Sequence, residues 1–593
     1  MQIINFFSES TGNALNIDYV QIPNDLDRLS DFEISEPEED KVYLIEVSPN
    51  KPNNLKYHGV EIFLKSYFKS LTSGVEKVRF VLCGFEDELS FFKYSEFSQV
   101  LKLPNVSYLQ INASFNENLL KFESDEIQKI DKSLALQGIR NVNIRRPLSY
   151  KTNHSIINEW SIFRWSQILS IEQNLPQYIK YEIKNSLFFR YLITINEIKE
   201  IDKISNSNLS SGISSTVLLI DDEEEKGWQS FFKTLLGNNV KFDSIGKDFK
   251  SEITKEGVIE KTKRIILQPQ STPDIVILDL RLHDHDYKEN IQPADLTGIK
   301  ILQEIKNFNR GIQVIVFSAT NKALNLQYAL DAGADGFIMK ESPENSIQPT
   351  FSTDSVNNVI SIIEQKSKMV FLRKIFTALE QIKTKIKDTI SNDSDFINDI
   401  SSNLDIAFDL LYKTSTDERY FNYAFIQLFL IIEQISTHEC FFKEKGSCAY
   451  VINNNKEVLI QQEIGSKIQR ALKLTNNGKY EIQENKFEKK QLRRLDTNFK
   501  VSSILIFRNG NINSSVKKWT NIYMNRNTKA AHFNKENINS KITIEDIDNI
   551  IDFISYFVDS KNVNELNIGS GLTEKSLEDA LSELRRDPRV KNK

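Results

Sequence analysis

The stretch DIVILDLRL (274–282) places an aspartate directly after a continuous apolar run. Similar short apolar runs occur at TVLLIDD (216–222), QVIVFSA (313–319) and DGFIMK (335–340), and helical patterns separate them. Such runs are typical of parallel strands that helices cover on both faces. Residues 216–345 therefore predict a doubly wound α/β domain.

Polar side chains stand where these predicted strands end: Asp221, Asp222, Asp279, Ser318 and Lys340. In a doubly wound sheet, the carboxyl ends of the strands meet at one crevice. Three carboxylates there repel one another and need a cation, and hard oxygen ligands suit Mg²⁺. Asp279 is then a candidate nucleophile that forms an acyl-phosphate, with Lys340 and the Ser318 hydroxyl holding the phosphoryl oxygens.

Residues 216–343 resemble the receiver domain of two-component response regulators. The resemblance lies in the acidic pair at 221–222, the aspartate after the third strand, the SA after the fourth, and the aromatic–x–x–K at 337–340. It implies a flavodoxin-like sheet and a phosphoryl donor that is a histidine kinase or phosphotransfer protein. The resemblance implies that Asp279 is the phosphoacceptor. It implies that Mg²⁺ is bound by Asp222, by Asp221 (partly through water), by Asp279 and by the Arg281 carbonyl. The switch residues that it implies are Ser318, Phe337 and Lys340.

The sequence departs from the receiver pattern in two places. HDHDYKENIQPADLT (283–297) is an enlarged loop beside the acceptor that either gates the donor kinase or is a solvated excursion, and we favour the excursion. We expect His283 and His285 to be surface residues. Lys340 is followed by Glu341 rather than the commoner proline, which we expect to leave the role of the lysine unchanged.

The N-terminal region, 1–203, contains a second pattern of this kind. KVYLIEV (41–47), HGVEIF (58–63) and VRFVLCG (78–84) match the third strand, the helix after it and the fourth strand of the receiver-like segment. Glu46 falls where Asp279 falls, Gly84 falls at or near Ala319, and no aspartate pair precedes them. Residues 41–112 therefore predict a degenerate receiver-like unit that is not phosphorylated and serves in sensing or docking.

NHSIINEW (153–160) places His154 and Asn158 on one helical face. The H-x-x-x-N spacing loosely resembles the phosphorylated box of some histidine kinases. No ATP-binding domain follows, so His154 is either a phosphotransfer histidine or, the better interpretation, a structural histidine bonded within a helix pair.

The segment after Pro349 lacks proline and glycine until Gly446, which predicts helix. A connecting helix is predicted at 351–397, with a heptad-like seam that packs on a partner chain, on its own copy or on a neighbouring helix of the same chain. The seam consists of Leu372, Ile375, Leu379, Ile382 and Ile386.

Residues 398–561 are predicted to form an all-α domain that contains the motif MNRNTKAAHF (524–533). Arg526 and His532 are six positions apart, so a bend or a dimer axis is needed to bring them to one phosphate. Residues 486–532 hold eleven lysines and arginines against two acidic residues, in a chain whose net charge is -6. A positive segment of this kind suits RNA or another polyanion, and the alternative is a solvated basic face.

Arg526, the asparagine after it and the later histidine resemble the motif of the HEPN family, small all-α bundles that usually dimerise and include metal-independent ribonucleases. The resemblance implies that His532 is a general acid or base at the RNA 2′-OH or leaving oxygen, that Arg526 stabilises the phosphorane and that Asn527 orients the phosphate. Attack by the 2′-OH would leave a 2′,3′-cyclic phosphate, and no metal would be needed. By analogy with the family, the RNA would be cleaved in a growth-arrest or anti-phage response. Some HEPN domains lack the activity, so a non-enzymatic adaptor is the second hypothesis.

The composition limits the class of protein, its location and the kinds of output domain. A hydrophobic fraction of 40% and a charged fraction of 26% are those of a soluble globular protein, and the mild net charge excludes a globally basic nucleic-acid coat. Neither a secretory signal nor a membrane-length apolar run is evident, and three cysteines are too few for a disulfide scaffold, so we expect a cytoplasmic location with no membrane partner. A linker is expected at 204–215 and a polar tail at 562–593. A DNA-binding output is a weaker third option, because no short helix-turn-helix unit is evident.

Overall fold

A computed structural model describes residues 2–23, 32, 37–48, 57–124, 126–146, 153–199, 201, 215–268, 272–288, 290–319, 323–453, 456–474, 480–482, 487–489, 495–508, 514–530 and 541–559. The chain forms two compact units, residues 1–303 with 314–364 and residues 304–313 with 365–593. The predicted tail lies outside the described residues, and so does the predicted linker except for Ser215. No helix in the described part of the chain is both long and apolar enough to cross a bilayer.

The N-terminal part of the first unit is an α/β fold followed by a group of helices. Its elements are β1 (Gln2–Phe7), α1 (Glu9–Leu15), β2 (Val20–Gln21), β3 (Lys41–Glu46), α2 (His58–Ser73), β4 (Val78–Gly84), α3 (Glu88–Tyr94), β5 (Val106–Gln110), α4 (Phe115–Ser124), α5 (Lys132–Ile139), α6 (Asn153–Ile168), α7 (Gln177–Asn185) and α8 (Leu187–Ile195).

The segment 215–367 forms a second α/β fold. Its elements are β6 (Thr216–Ile220), α9 (Trp228–Leu236), β7 (Lys241–Ile245), α10 (Lys255–Ile266), β8 (Ile275–Leu278), α11 (Thr297–Phe308), β9 (Gln313–Ser318), α12 (Ala323–Asp331), β10 (Gly336–Met339) and α13 (Phe351–Ser367).

The two α/β folds have the same sheet topology. One sheet has the order β2-β1-β3-β4-β5, and the other has the order β7-β6-β8-β9-β10. All neighbours pair in parallel in the first sheet, as do β7 with β6, β6 with β8 and β9 with β10 in the second. Both read 2-1-3-4-5, the flavodoxin-like order, so the predicted doubly wound sheet and its N-terminal counterpart are confirmed as folds. The apolar runs form these strands because helices cover both faces: every residue of β8 and β9 is buried.

Among the described residues, the N-terminal sheet has no aspartate pair after its first strand. Glu46 ends β3 and is buried, and its carboxylate accepts hydrogen bonds from the Ser8 backbone N–H (2.7 Å) and the Thr11 hydroxyl (2.8 Å). Ser8 follows β1, where the second sheet has Asp221 after β6. Glu46 is thus hydrogen-bonded by neutral donors, and the prediction that this unit is not phosphorylated stays a prediction.

The second unit consists of a helical core and antiparallel strands. Its elements are α14 (Phe371–Thr389), α15 (Ser394–Tyr412), α16 (Tyr420–Thr437), β11 (Phe442–Lys445), β12 (Cys448–Asn453), β13 (Lys456–Ile464), β14 (Lys467–Arg470), β15 (Leu472–Leu474), β16 (Tyr480–Ile482), β17 (Phe487–Lys489), α17 (Thr497–Phe507), α18 (Ser514–Asn525), a π-helical turn (Arg526–Ala530) and α19 (Ile544–Val558).

Two predictions for this region are wrong in part. The connecting helix at 351–397 is interrupted twice, so that α13, α14 and the start of α15 replace it, and the heptad-like seam is buried against α15 and α19 of the same unit. The all-α prediction for 398–561 fails at 442–489, where an antiparallel sheet has the order β11-β12-β13-β14-β17. Gly446 and Gly465 adopt positive φ in the two-residue turns of its hairpins, a conformation that favours glycine.

Candidate functional site

Three residues at the carboxyl edge of the second sheet are positioned by the strand ladder. The backbone N–H of Asp221 donates to Ile245 O (3.1 Å), that of Asp279 to Ile220 O (2.9 Å) and that of Lys340 to Ser318 O (2.9 Å). Each N–H continues the hydrogen bonding of its strand by one residue. The side chains of Asp221, Asp279 and Lys340 therefore meet at this edge, as the sequence predicts.

The Lys340 ammonium is the centre of this cluster. Its Nζ donates to Asp279 Oδ2 (2.8 Å), Asp221 Oδ2 (2.9 Å) and Asn158 Oδ1 (2.7 Å). It also lies 4.6 Å from the centroid of the Phe317 ring. Asp221, Asp279 and the ammonium have no exposed side-chain surface, so each of the three donor sites of the ammonium is matched by a buried acceptor.

Burial and charge act in opposite directions on the carboxyl groups. Burial opposes ionisation of Asp279, but the Lys340 ammonium and the His154 ring outweigh it and hold the pKa of that carboxyl below its usual value. Burial, followed by repulsion from Glu223 and the other aspartates, raises the pKa of Asp222 well above its usual value. These contacts favour the ionised form of Asp279, the form in which a carboxyl group can act as a nucleophile.

The predicted Mg²⁺ ligands lie together but are not arranged around a common point. Within the described residues, no group of three or more His, Cys, Asp or Glu side chains has metal-site geometry, since Lys340 Nζ lies between Asp221 and Asp279. Asp222 Oδ1 is buried without a hydrogen-bond partner among these residues. The donor set fits a hard cation, which would have to take over part of the role of the ammonium.

Helix α6 of the N-terminal part covers this cluster. Asn158 Oδ1 accepts from Lys340 Nζ and from the Trp228 indole N–H (2.8 Å). His154 is buried, with Nε2 3.6 Å from Asp279 Oδ2 and Nδ1 3.4 Å from the Tyr287 hydroxyl. His154 and Asn158 share a helical face, as predicted, but that face meets Asp279 and Lys340 rather than a second helix.

Glu341, the residue after Lys340, anchors α6. Its Oε2 accepts from the Trp165 indole N–H (2.8 Å), and its backbone carbonyl accepts from the Ser161 hydroxyl (2.6 Å). Its Oε1 accepts from the hydroxyls of Ser346 (2.5 Å) and Ser352 (2.8 Å). Glu341, which stands where proline is commoner, therefore has a structural role that the sequence analysis did not assign. The replacement of proline by a carboxylate was the local signal of that role.

The enlarged loop at 283–297 is not a solvated excursion. Asp286 is fully buried, accepts from the backbone N–H groups of Leu282 (3.0 Å) and Thr297 (3.2 Å), and pairs with Lys255 Nζ (2.7 Å). His283 is buried as well, so the prediction that it is a surface residue is wrong, whereas His285 is exposed. The ordered loop brings the Tyr287 ring against His154, with 5.3 Å between ring centroids.

The predicted switch residues flank the cluster. Ser318 is buried at the end of β9, and Phe337 is half-buried on the neighbouring β10. The two strands pair in parallel, with Met339 opposite Ser318 and Phe337 opposite Val316. Their positions agree with the prediction, and their role as a switch remains a prediction.

In the second unit, the residues of the predicted ribonuclease motif begin at the π-helical turn. Arg526 Nη1 donates to Asn527 Oδ1 (2.9 Å), and the guanidinium lies 5.4 Å from the centroid of the Phe429 ring. Lys529 Nζ, 3.1 Å from Asp546 Oδ2, ties the turn to α19. His532 lies outside the described residues, as does much of the basic segment 486–532, so the pairing of Arg526 with His532 stays a prediction.

Comparison with known proteins assigns the part of the second α/β fold that contains β8, β9 and β10 to a family. Residues 250–351 match the model of the response regulator receiver domain. The chain carries a response regulator receiver domain. The matched residues include Asp279 and Lys340, and the same fold extends N-terminally to β6, which precedes Asp221 and Asp222.

Two curated proteins are similar to this receiver segment. The KDP operon transcriptional regulatory protein KdpE of Escherichia coli is 29% identical over 127 residues, which cover 21% of this chain and 44% of that protein. The chemotaxis protein CheY of Halobacterium salinarum is 26% identical over 136 residues, 23% of this chain and 92% of that protein. Among solved structures, the response regulator domain of Thermotoga maritima CheB is 24% identical and matches 26% of this chain and 96% of that domain, with a TM-score of 0.18.

Proposed function

We propose that the chain is a two-component response regulator that accepts a phosphoryl group on Asp279 from a histidine kinase or a phosphotransfer protein. The observation that supports this most strongly is the pairing of the Asp279 carboxylate with Lys340 Nζ (2.8 Å) at the carboxyl edge of a receiver-type sheet. The low pKa of Asp279 keeps it ionised, whereas burial raises the pKa of Asp221, with Asp279 adding to the effect and Lys340 opposing it.

The proposed reaction is a single phosphoryl transfer. One Asp279 carboxylate oxygen attacks phosphorus, a P–O bond forms, and the P–N bond of the donor phosphohistidine breaks. The donor imidazole nitrogen keeps the electron pair of that bond and takes up a proton. The Lys340 ammonium balances the negative charge that the phosphoryl group brings next to Asp221.

Asp221, Asp222 and Asp279 would hold Mg²⁺ together with the backbone carbonyl of Arg281. When bound, the cation neutralises charge on the phosphoryl oxygens. Asp222 is suited to this role because its Oδ1 is buried without a partner among the described residues. A bound cation would also relieve the repulsion between Asp222 and the neighbouring carboxylates.

Phosphorylation of Asp279 is tested with radiolabelled acetyl phosphate and Mg²⁺ on the full chain. We expect acid-stable, base-labile label in the wild type and none in Asp279→Asn, because the amide is not a nucleophile for this transfer. Glu46→Gln, which changes the corresponding residue of the N-terminal sheet, is the matched control and is expected to keep the label. Label that persists in Asp279→Asn would contradict the proposal.

The proposed output is a HEPN-type ribonuclease in the second unit, acting as a homodimer on RNA. The support is the half-buried Arg526 on a π-helical turn, since such turns are frequent at functional sites, together with the excess of positive charge in 486–532. The Arg526 guanidinium would stabilise the phosphorane, Asn527 would orient the phosphate, and His532 would transfer the proton at the 2′-OH or the leaving oxygen.

The ribonuclease is tested by incubating the protein with labelled RNA in EDTA. We expect cleavage that leaves 2′,3′-cyclic ends and that falls at least about hundredfold in Arg526→Ala and in His532→Ala, a loss typical of removing one charge-stabilising or proton-transferring group. Lys517→Ala serves as a control that removes one positive charge from the same basic segment. Equal backgrounds in all four proteins would favour the alternative, an adaptor whose receiver controls assembly.

A further inference from the structure

The Asp279 carboxylate cannot be reached from solvent in the described conformation. Its side chain has no exposed surface, and the same holds for Asp221 and for the Lys340 ammonium. A phosphoryl donor has to bring its phosphorus atom into line with a carboxylate oxygen, within about 3 to 3.5 Å. Transfer to Asp279 therefore requires that some of the covering residues move.

The cover is the N-terminal half of α6 together with Tyr287. His154 Nε2 is 3.6 Å from Asp279 Oδ2, the oxygen that also accepts from Lys340 Nζ. Asn158 Oδ1 accepts the third hydrogen bond that the ammonium donates. His154 Nε2 and Asn158 Nδ2 are buried without hydrogen-bond partners among the described residues. Both groups have thus lost water without gaining a full set of bonds, an energetic cost that favours release of this segment.

Residues 159–165 of α6, which follow the covering segment 153–158, are held by further hydrogen bonds and an ion pair. Ser161 and Trp165 bond to Glu341, and the Trp160 indole N–H donates to Ser346 Oγ (2.8 Å). Glu159 pairs with Lys226 Nζ (2.7 Å), which also binds Glu223 beside the aspartate cluster (2.8 Å). The bonds to Glu341 lie one residue from Lys340, so α6 and the phosphoacceptor share their supports.

We propose that the N-terminal half of α6, carrying His154 and Asn158, is an internal cover that excludes phosphodonors from Asp279, and that phosphorylation and binding of this cover are mutually exclusive. The inference rests on the proposed phosphorylation of Asp279. Because linkage is reciprocal, anything that draws α6 away promotes phosphorylation, and phosphorylation releases α6. The N-terminal region thereby becomes the inhibitory partner of the receiver within the same chain.

The test compares initial rates of Asp279 labelling by acetyl phosphate and Mg²⁺ in full-length proteins. His154→Ala with Asn158→Ala removes the covering side chains, and Asn153→Ala changes an exposed asparagine at the start of the same helix. We expect labelling at least about tenfold faster in the double variant, the effect of an opening equilibrium shifted by about 1.4 kcal/mol. The Asn153→Ala protein should keep the wild-type rate.

Asn158→Ala removes part of the cover, but it also removes a hydrogen bond to Lys340. A second pair of variants therefore changes the access of the donor to Asp279 without changing a residue that contacts Lys340. Ser161→Ala removes a hydroxyl that bonds to the Glu341 carbonyl, whereas Ser166→Ala removes an equally buried hydroxyl that bonds to its own helix at Phe163 O (2.8 Å). Ser161→Ala should accelerate labelling several-fold more than Ser166→Ala. Beryllofluoride with Mg²⁺ should also increase amide exchange in 153–158 of the wild type.

The outcomes separate the two proposals. Labelling of the wild type at the rate of the opened variants would show that Asp279 is accessible, and would overturn the cover while leaving the proposed function intact. Absence of label from every protein, opened variants included, would overturn the proposed function and the cover with it. Both proposals would be established if labelling is faster in the His154→Ala, Asn158→Ala double variant and in Ser161→Ala, and if adding Asp279→Asn abolishes that labelling.

Discussion

Replacing Lys340 with methionine is expected to lower the free energy of unfolding of the first unit by about 3 to 5 kcal/mol. Methionine keeps an apolar stem that can pack near the Phe317 ring, but it donates no hydrogen bonds. Asp221 and Asp279 would then be fully buried carboxylates without a cation, and Asn158 Oδ1 would lose its donor. Removing one partner of a buried ion pair costs more than the pair itself contributes, because the remaining charge stays desolvated.

Urea unfolding measures this loss. Trp160, Trp165 and Trp228 lie in the first unit, so a Trp519→Phe background confines the fluorescence signal to that unit. Lys129→Met is the matched control, since Lys129 Nζ makes an exposed ion pair with Glu76 (3.0 Å) and should change stability little. A loss in Lys340→Met as small as that in the control would contradict the described cluster.

Glu341→Ala is expected to have the second large effect, a loss of about 3 kcal/mol in the same unfolding transition. The substitution leaves the Trp165 indole N–H and the Ser352 hydroxyl without their acceptor, and it removes the carboxylate that lies 3.7 Å from the buried Arg164 guanidinium. Burial lowers the pKa of the Arg164 guanidinium, and the Glu341 carboxylate opposes that shift. The substitution would leave this buried cation without the carboxylate beside it.

The control for Glu341→Ala is Glu344→Ala, which removes an exposed carboxylate three residues further along the chain. Its effect should stay within about 0.5 kcal/mol, as is usual for surface substitutions. Glu341→Gln should recover part of the loss, because the amide oxygen can still accept from the indole N–H. Equal stabilities of the Glu341→Ala and Glu344→Ala proteins would show that Glu341 does not anchor α6.

The sequence predicts the receiver sheet and the acidic edge well. Both follow from local rules: a buried parallel strand is a short apolar run, and residues that end parallel strands meet at one edge. Asp221, Asp279 and Lys340 therefore could be placed together without any knowledge of packing. In the N-terminal sheet, the third and fourth strands were predicted within 41–112, whereas β1 and β2, which precede residue 41, were not.

The packing of α6 against Asp279 and Lys340 was not predictable in the same way. Asn158 and Lys340 are 182 residues apart in the chain, and Trp160 and Ser346 are 186 apart. Helical spacing indicates which side chains share a face, but it does not indicate which distant surface that face meets. The replacement of proline by Glu341 was the available local signal, since a buried carboxylate requires donors and α6 supplies them.

The strands at 442–489 were missed for a different reason. The prediction extended the helical domain across 398–561, although the stretch without proline and glycine that indicates helix ends at Gly446. CAYVIN and KEVLIQQEI are nevertheless rich in β-branched and aromatic residues and are bounded by Gly446 and Gly465. That combination indicates hairpins and outweighs the helical setting.

Chemical trapping of the acyl-phosphate tests the central claim most directly. The wild type and the His154→Ala, Asn158→Ala double variant would be treated with acetyl phosphate and Mg²⁺, reduced with borohydride and mapped by mass spectrometry. Reduction converts a phosphorylated aspartate into homoserine. We expect homoserine at position 279, with a yield at early times that is at least about tenfold higher in the double variant. Homoserine at another aspartate, or none at position 279 in either protein, would contradict the account.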